Sequence, residues 1–187
     1  MNLSTLSTRR RFLHQGARWA AAGVALPFAQ RVMASASLPP ARSLAFNNLH
    51  TGEKMALVYA EGERYVPEAL IRLNHLLRDH YSGEVGVIDP PLFDLLFRVK
   101  QALGTAKPFE VISGYRAPAT NATLQRTGGG GVATQSLHME GRAIDIRLAG
   151  VPLTELRDAA LALRAGGVGF YARDGFVHVD TGRVRSW

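Results

Sequence analysis

Ser136-Leu137-His138-Met139-Glu140-Gly141-Arg142-Ala143-Ile144-Asp145-Ile146-Arg147-Leu148 is the stretch on which the reading of this chain turns. From Ala143 onward apolar and polar residues alternate, the period-two pattern of a strand. Asp145 then projects opposite to Ile144 and Ile146, whose side chains belong in a core. A carboxylate held there needs a partner, because an unpaired buried charge is costly. His138 stands seven residues earlier, ahead of Gly141, where the chain can turn tightly and bring the imidazole back towards Asp145. A His and an Asp so placed are candidate metal ligands. The run Phe176-Val177-His178-Val179-Asp180 supplies a candidate third, with His178 and Asp180 on one strand face and the two valines on the other. Two His and one Asp around Zn²⁺ leave a fourth position open, as catalytic zinc sites do. Each residue alone has a plainer use: a lone His is usually a satisfied surface or core residue, and Asp145 can pair with Arg142 or Arg147.

Outward from this stretch the pattern is mixed. Ser43–Leu49 and Lys54–Ala60 read as a hairpin across Thr51-Gly52. Pro67 opens a helix carrying Leu70, Leu73, Leu76, Leu77 and Tyr81 on one face, stopped by Gly83. Asp89-Pro90-Pro91 opens a second helix with Leu92, Leu95, Leu96, Val99 and Leu103 inward, Asp89 as N-cap and Gly104 as stop. Pro108–Ser113 is a β-branched strand leading into Gly114-Tyr115-Arg116, and a short helix covers Thr120–Arg126. Gly128–Gly131 is a loop without the Gly-Lys-Ser/Thr of a phosphate loop: slack, or a flap beside the site. Pro152 starts a helix with Leu153, Leu156, Ala160 and Leu163 inward. Val168–Tyr171 and Phe176–Thr181 form a closing hairpin across Arg173-Asp174-Gly175. Without regular βαβ alternation the expected class is α+β, a small antiparallel sheet with helices packed on one side.

The 187 residues, 47% of them apolar and 20% charged, suit one domain with a single core. There is no cysteine, so any zinc sits on His and carboxylate. The net charge of +7 is mostly local: residues 1–36 hold five arginines and no acid, and the remainder sets 17 basic against 15 acidic residues, a net of +2. That balance removes the reason to expect a nucleic-acid partner.

Thr8-Arg9-Arg10-Arg11-Phe12-Leu13-His14, the Ala-rich run Trp19–Ala29 and Ala34-Ser35-Ala36 together resemble a twin-arginine export signal, with His14 where Lys is usual. Eleven apolar residues are short for a bilayer span. The resemblance implies a leader over 1–36, a linker over 37–42 and a domain over 43–187. It also implies export by the twin-arginine (Tat) machinery to the periplasm or cell envelope, with no stable membrane span after cleavage.

Ser136-x-His138-x-x-Gly141-x-Ala143-x-Asp145 is similar at every fixed position to the signature of the M15 metallopeptidases. Ile112–Arg116, Ser136–Leu148 and Gly167–Arg183 resemble in particular the YcbK-like (DUF882) branch of murein endopeptidases. The resemblance implies a Hedgehog/D-Ala-D-Ala-peptidase-like fold, with Zn²⁺ on His138, Asp145 and His178. It implies hydrolysis of amide bonds in cell-wall peptide cross-links by metal-activated water, the partner being peptidoglycan peptide stems. Arg116 matches an arginine facing substrate, where a planar guanidinium suits a carboxylate or an oxyanion. Ser136 matches a serine that hydrogen-bonds substrate or a ligand. Many M15 enzymes place the catalytic acid three residues before the last zinc histidine, and Gly175 stands there. Asp180 is then the first candidate for the base, or a group orienting His178. Asp174 is the alternative and Glu140 a third. The same departure admits a non-catalytic, zinc-stabilised module that binds cell-wall peptides.

Overall fold

The computed structural model describes residues 40–127 and 132–187. The leader over 1–36 and the Gly128–Gly131 loop lie outside the described residues.

The elements run β1 (Ala41–Asn48), β2 (Lys54–Glu61), β3 (Arg64–Tyr65), α1 (Pro67–Leu76), α2 (Pro90–Leu103) and β4 (Phe109–Ser113). After these come α3 (Pro118–Thr127), β5 (Ala143–Leu148), α4 (Leu153–Ala162), β6 (Gly167–Tyr171), β7 (Phe176–Asp180) and β8 (Arg185–Ser186). The expected α+β class holds. The sheet is larger than expected: eight strands in the order β3-β2-β1-β4-β5-β7-β6-β8. It is also mixed, because β1 pairs parallel with β4 and β6 parallel with β8. The chain leaves the β1–β2 hairpin, crosses through α1 and α2, and returns beside β1 in the same direction. Local patterning finds hairpins, and a crossover of that length leaves no local mark. β1 begins at Ala41, so the last two residues of the expected linker are strand.

One apolar cluster holds the fold together. Leu73 and Leu76 of α1, Leu92, Leu96 and Val99 of α2, and Leu156 and Ala160 of α4 pack with Phe46, Phe109, Ile144, Ile146, Val177 and Val179 of the strands. The three helices therefore cover one face, and the alternation along β5 and β7 turns Asp145, His178 and Asp180 to the other. Helix α3 stands apart, its buried residues being Thr120 and Asn121. At the far edge Asp94 of α2 accepts from Arg42 Nη1 (2.6 Å), Tyr59 Oη (2.9 Å) and Tyr65 Oη (2.6 Å), tying three strands to that helix.

Two helix details depart from expectation. α1 ends at Leu76, and Tyr81 is 66% exposed rather than on its apolar face. The reason is Asp79, whose buried carboxylate accepts the N–H groups of Tyr81, Ser82 and Ala117 and draws the chain into a turn. Asp89 is the N-cap residue of α2, yet its side chain makes no capping bond there. It faces Thr181 Oγ1 at 3.4 Å and Arg142 Nε at 3.9 Å instead. Gly104 closes α2 in the left-handed region at φ 60°. Among the described residues no helix is long and apolar enough to cross a membrane.

Candidate metal centre

Register brings the site together. Asp145 on β5 lies opposite His178 on β7 and, on its other side, opposite Ser113 on β4. His138 arrives from the turn before β5. Met139 N–H donates to Ser136 O, Gly141 N–H to His138 O and Arg142 N–H to Leu137 O, one tight coil that folds the imidazole back over the strand. Gly141 permits the coil, with φ at +66°. A Cβ there would also collide with the Val87 carbonyl and meet Ile88 Cα at 3.0 Å. Gly141→Ala is expected to cost about 3 kcal/mol, read as a Tm lowered by roughly 6–12 °C. An unchanged melting curve would refute this account of the turn.

His138 Nε2, His178 Nδ1 and Asp145 Oδ1 converge. The imidazole nitrogens are 3.2 Å apart, and Asp145 Oδ1 is 2.8 Å from His178 Nδ1 and 3.3 Å from His138 Nε2. The far nitrogens settle the tautomers. His138 Nδ1 is 2.7 Å from the Gly114 carbonyl, and His178 Nε2 is 3.1 Å from Asp180 Oδ2. Each can only be a donor to such a partner, so in the neutral rings the inner nitrogens carry lone pairs. Two lone-pair nitrogens and a carboxylate oxygen, all buried, repel one another unless a cation or a proton sits among them. Donor atoms ~2.0–2.1 Å from one ion at tetrahedral angles lie about 3.3–3.4 Å apart, close to these spacings. The residues fit a metal ion.

The charges agree. Burial works against the Asp145 carboxylate, but His138 and then His178 outweigh it and hold the group below the usual carboxylate range. Burial also opposes charge on His178, and the Asp145 and Asp180 carboxylates outweigh it, lifting the imidazole above its ordinary value.

Asp180 is wholly enclosed. Its Oδ1 accepts from Gly167 N–H (3.0 Å), Gly182 N–H (2.7 Å) and Arg185 Nη1 (3.1 Å), and its Oδ2 from Arg185 Nη2 (2.7 Å) and His178 Nε2. Burial alone would raise this carboxyl, and the donors from His178, Arg185 and the two glycines bring it down.

A cavity of about 430 Å³ opens over the cluster, and Arg116, Ser136, His138, Asp145, Asp174 and His178 all line it, whereas Asp180 does not. Arg116 Nη2 is 3.9 Å from Asp145 Oδ2, and its Nη1 donates to Asn121 Oδ1 at 3.4 Å. Ser136 Oγ accepts the His138 N–H at 3.4 Å. Glu140 is exposed and pairs with Arg142. The rival partners of Asp145 are committed elsewhere, Arg147 to Glu110 and Arg142 to Thr181.

Three contributors escaped the sequence reading. Arg185 holds Asp180. Asn121 steadies Arg116. Trp187 packs its ring 5.2 Å from that of His178 and donates Nε1–H to Tyr171 Oη at 2.8 Å. The spacing of Arg185 and Trp187 follows no strand or helix period, so nothing local marked them.

Comparison with known proteins identifies the family. A family model described as peptidoglycan L,D-endopeptidase MepK matches residues 36–187. The peptidoglycan L,D-endopeptidase MepK of Escherichia coli (strain K12) is 47% identical over 154 residues, which cover 82% of this chain and 84% of that protein. The probable peptidoglycan L,D-endopeptidase MepK of Haemophilus influenzae is 42% identical over 157 residues, covering 83% and 84%. Among solved structures, the Serratia marcescens L-Ala D-Glu endopeptidase ChiX aligns with 41% of this chain and 62% of its own at 22% identity. Its TM-score of 0.32 is too low to support an argument. The family model covers most of the chain, and on that match the chain belongs to the peptidoglycan L,D-endopeptidase MepK family of M15-type metallopeptidases.

Proposed function

We propose that this chain is a zinc-dependent endopeptidase of the cell envelope that hydrolyses an L,D amide bond in the peptide cross-links of peptidoglycan. The observation that carries the reading is the convergence of His138 Nε2, Asp145 Oδ1 and His178 Nδ1 within 3.3 Å of one another, on the wall of an open cavity. The names of the matched family and of its Escherichia coli relative support the substrate and bond. A donor set of two imidazoles and one carboxylate, with no thiolate, supports zinc in a catalytic role. When bound, such an ion supplies Lewis acidity towards the scissile carbonyl and makes water a better nucleophile.

The chain's own residues do the rest. His138, Asp145 and His178 would hold the ion, and Gly114 O and Asp180 fix which imidazole nitrogen is turned inward to receive it. Arg116, with few contacts of its own, lines both the metal cavity and the recess beside it, and one edge of its guanidinium directs N–H groups at the carbonyl oxygen as charge develops there. Ser136 closes the turn under His138 and reaches the cavity, where its hydroxyl can hold the peptide. The base is Asp174 in preference to Asp180. Asp174 lines the cavity, whereas Asp180 is enclosed by five contacts. Asp174 takes a proton from the attacking water as the C–O bond forms, and returns it to the leaving nitrogen as the C–N bond breaks. Asp180 is a positioning residue. Gly175 in the family's usual acidic position favoured a non-catalytic module, and a carboxylate next to it on the cavity wall weakens that case.

The proposal extends to export: residues 1–36 as a twin-arginine signal delivering the domain to the periplasm through the Tat machinery. The start of the family match at residue 36 supports that boundary. Digestion of purified sacculi followed by mass spectrometry tests the activity. Zinc-loaded protein should convert cross-linked muropeptides to monomers while the H138A protein leaves them intact, and an unchanged muropeptide profile with wild type would sink the reading.

A further inference from the structure

A second recess of about 290 Å³ adjoins the metal cavity, and Arg116, Asp145 and Phe176 stand in the walls of both. Two turns that contribute nothing to metal binding build it. Buried Asn48 accepts the N–H groups of His50 (3.0 Å) and Thr51 (3.1 Å) on Oδ1 and donates Nδ2–H to Leu76 O (2.9 Å), pinning the β1–β2 turn to the end of α1. Buried Asp79 shapes the facing turn. The result is a ladder of rings. His50 and His80 stack at 3.8 Å with planes 5° apart, and Tyr81 follows 4.2 Å from His80. Burial pushes the His80 imidazole below its ordinary value, so the stack is not opposed by charge on both rings.

The polar inventory of the recess is one-sided. Asp79 is occupied by backbone N–H groups, and Asp145 by the two histidines. Glu84, beside the recess, accepts the Tyr115 hydroxyl at 3.0 Å. What still faces the space is the Arg116 guanidinium, with no protein partner nearer than 3.4 Å, together with imidazole rings and hydroxyls. A guanidinium with open N–H groups, beside two carboxylates whose oxygens are already engaged by other donors, suits a planar anion. A peptide endopeptidase must also hold residues on both sides of the bond it cuts, and the metal cavity is one compartment.

We propose that the recess bounded by His50, His80 and Arg116 is a second substrate subsite, holding a carboxylate-bearing residue of the peptide arm on one side of the scissile bond while the other arm lies in the metal cavity. The proposal rests on the peptidoglycan reading above. Calorimetric binding to the zinc-loaded chain tests it without cleavage. The probes are an uncross-linked disaccharide-tetrapeptide and the same muropeptide amidated at its stem carboxylates. Wild type should bind the carboxylate form about tenfold more tightly. His50 is exposed, so charge can be placed there without disturbing the core. His50→Glu should erase most of that preference and His50→Lys should enlarge it, while the amidated form changes by less than about twofold in either. Equal binding of the two probes to wild type, or equal shifts of both on charge substitution, overturns the subsite alone. Failure of both probes to bind wild type overturns the peptidoglycan reading and the subsite with it.

Discussion

Alanine in place of His178 is expected to abolish stoichiometric metal binding and to lower kcat/KM by at least about a thousandfold, ~4 kcal/mol of transition-state stabilisation. The size follows from what the imidazole joins. Its Nδ1 is one of three converging donors, and its Nε2 is 3.1 Å from Asp180, so its loss opens the ion's cradle and also strips a partner from each of two buried carboxylates. Asp180 keeps Arg185 and two backbone N–H groups, so the β7 end of the sheet should survive. Metal content by mass spectrometry, activity on cross-linked muropeptides and far-UV circular dichroism form the check. The expected pattern is a folded protein without metal or activity. Chelation of the wild type should give the same phenotype, with recovery on adding zinc. Full activity with bound metal in H178A would remove His178 from the ligand set.

The second large effect separates two neighbouring carboxylates that the linear chain makes hard to tell apart. Asp174→Asn should lower kcat by about 10²–10⁴-fold with metal content unchanged, because a proton carrier is lost while the cradle stays. Asp180→Asn should act through the metal, weakening its affinity by about 10–100-fold. Excess metal should then restore most of the turnover. Arg185→Lys should resemble a mild form of the Asp180 change, since one ammonium cannot reproduce the two-point contact at 3.1 and 2.7 Å. Competitive metal titration beside steady-state kinetics reads both quantities. A kcat defect in D180N that persists at saturating metal, with D174N fully active, would reverse the two roles.

The candidate ligands were legible because a strand writes its two faces into the sequence. Ile144, Asp145 and Ile146 can alternate in only one way, as can Val177, His178 and Val179. Burial matches this, with the isoleucines and valines in the apolar cluster and the polar residues on the opposite face. Gly141 was legible for a similar reason, since a tight turn before a strand asks for a residue that tolerates positive φ. The reading of Tyr81 failed where helical spacing continued past Leu76, because the pull of Asp79 on the N–H of Ala117, 38 residues away, has no trace in local periodicity.

The proposed roles, as distinct from the candidates, rest on three dimensions. Asp180 shares a face with His178 in any strand, and alternation alone leaves it free to serve as base or as support. The distinction depends on Arg185, Gly167 and Gly182 closing over it, contacts set by the β6–β8 pairing. The mixed sheet is a similar case, for β1 meets β4 only after two helices intervene. So too is the His50–His80 stack, which joins turns 30 residues apart. By itself the sequence determined where the six longer strands run, which face of β5 and β7 carries the polar residues, and which side chains have the chemistry to hold a metal ion. These properties follow from steric and hydrophobic periodicity over a few residues. The tertiary structure decided which polar groups are spent on one another and which still face open space. That balance depends on distances between segments remote in the chain, and on it rests the proposed division into ligands, their support and the groups left for a substrate.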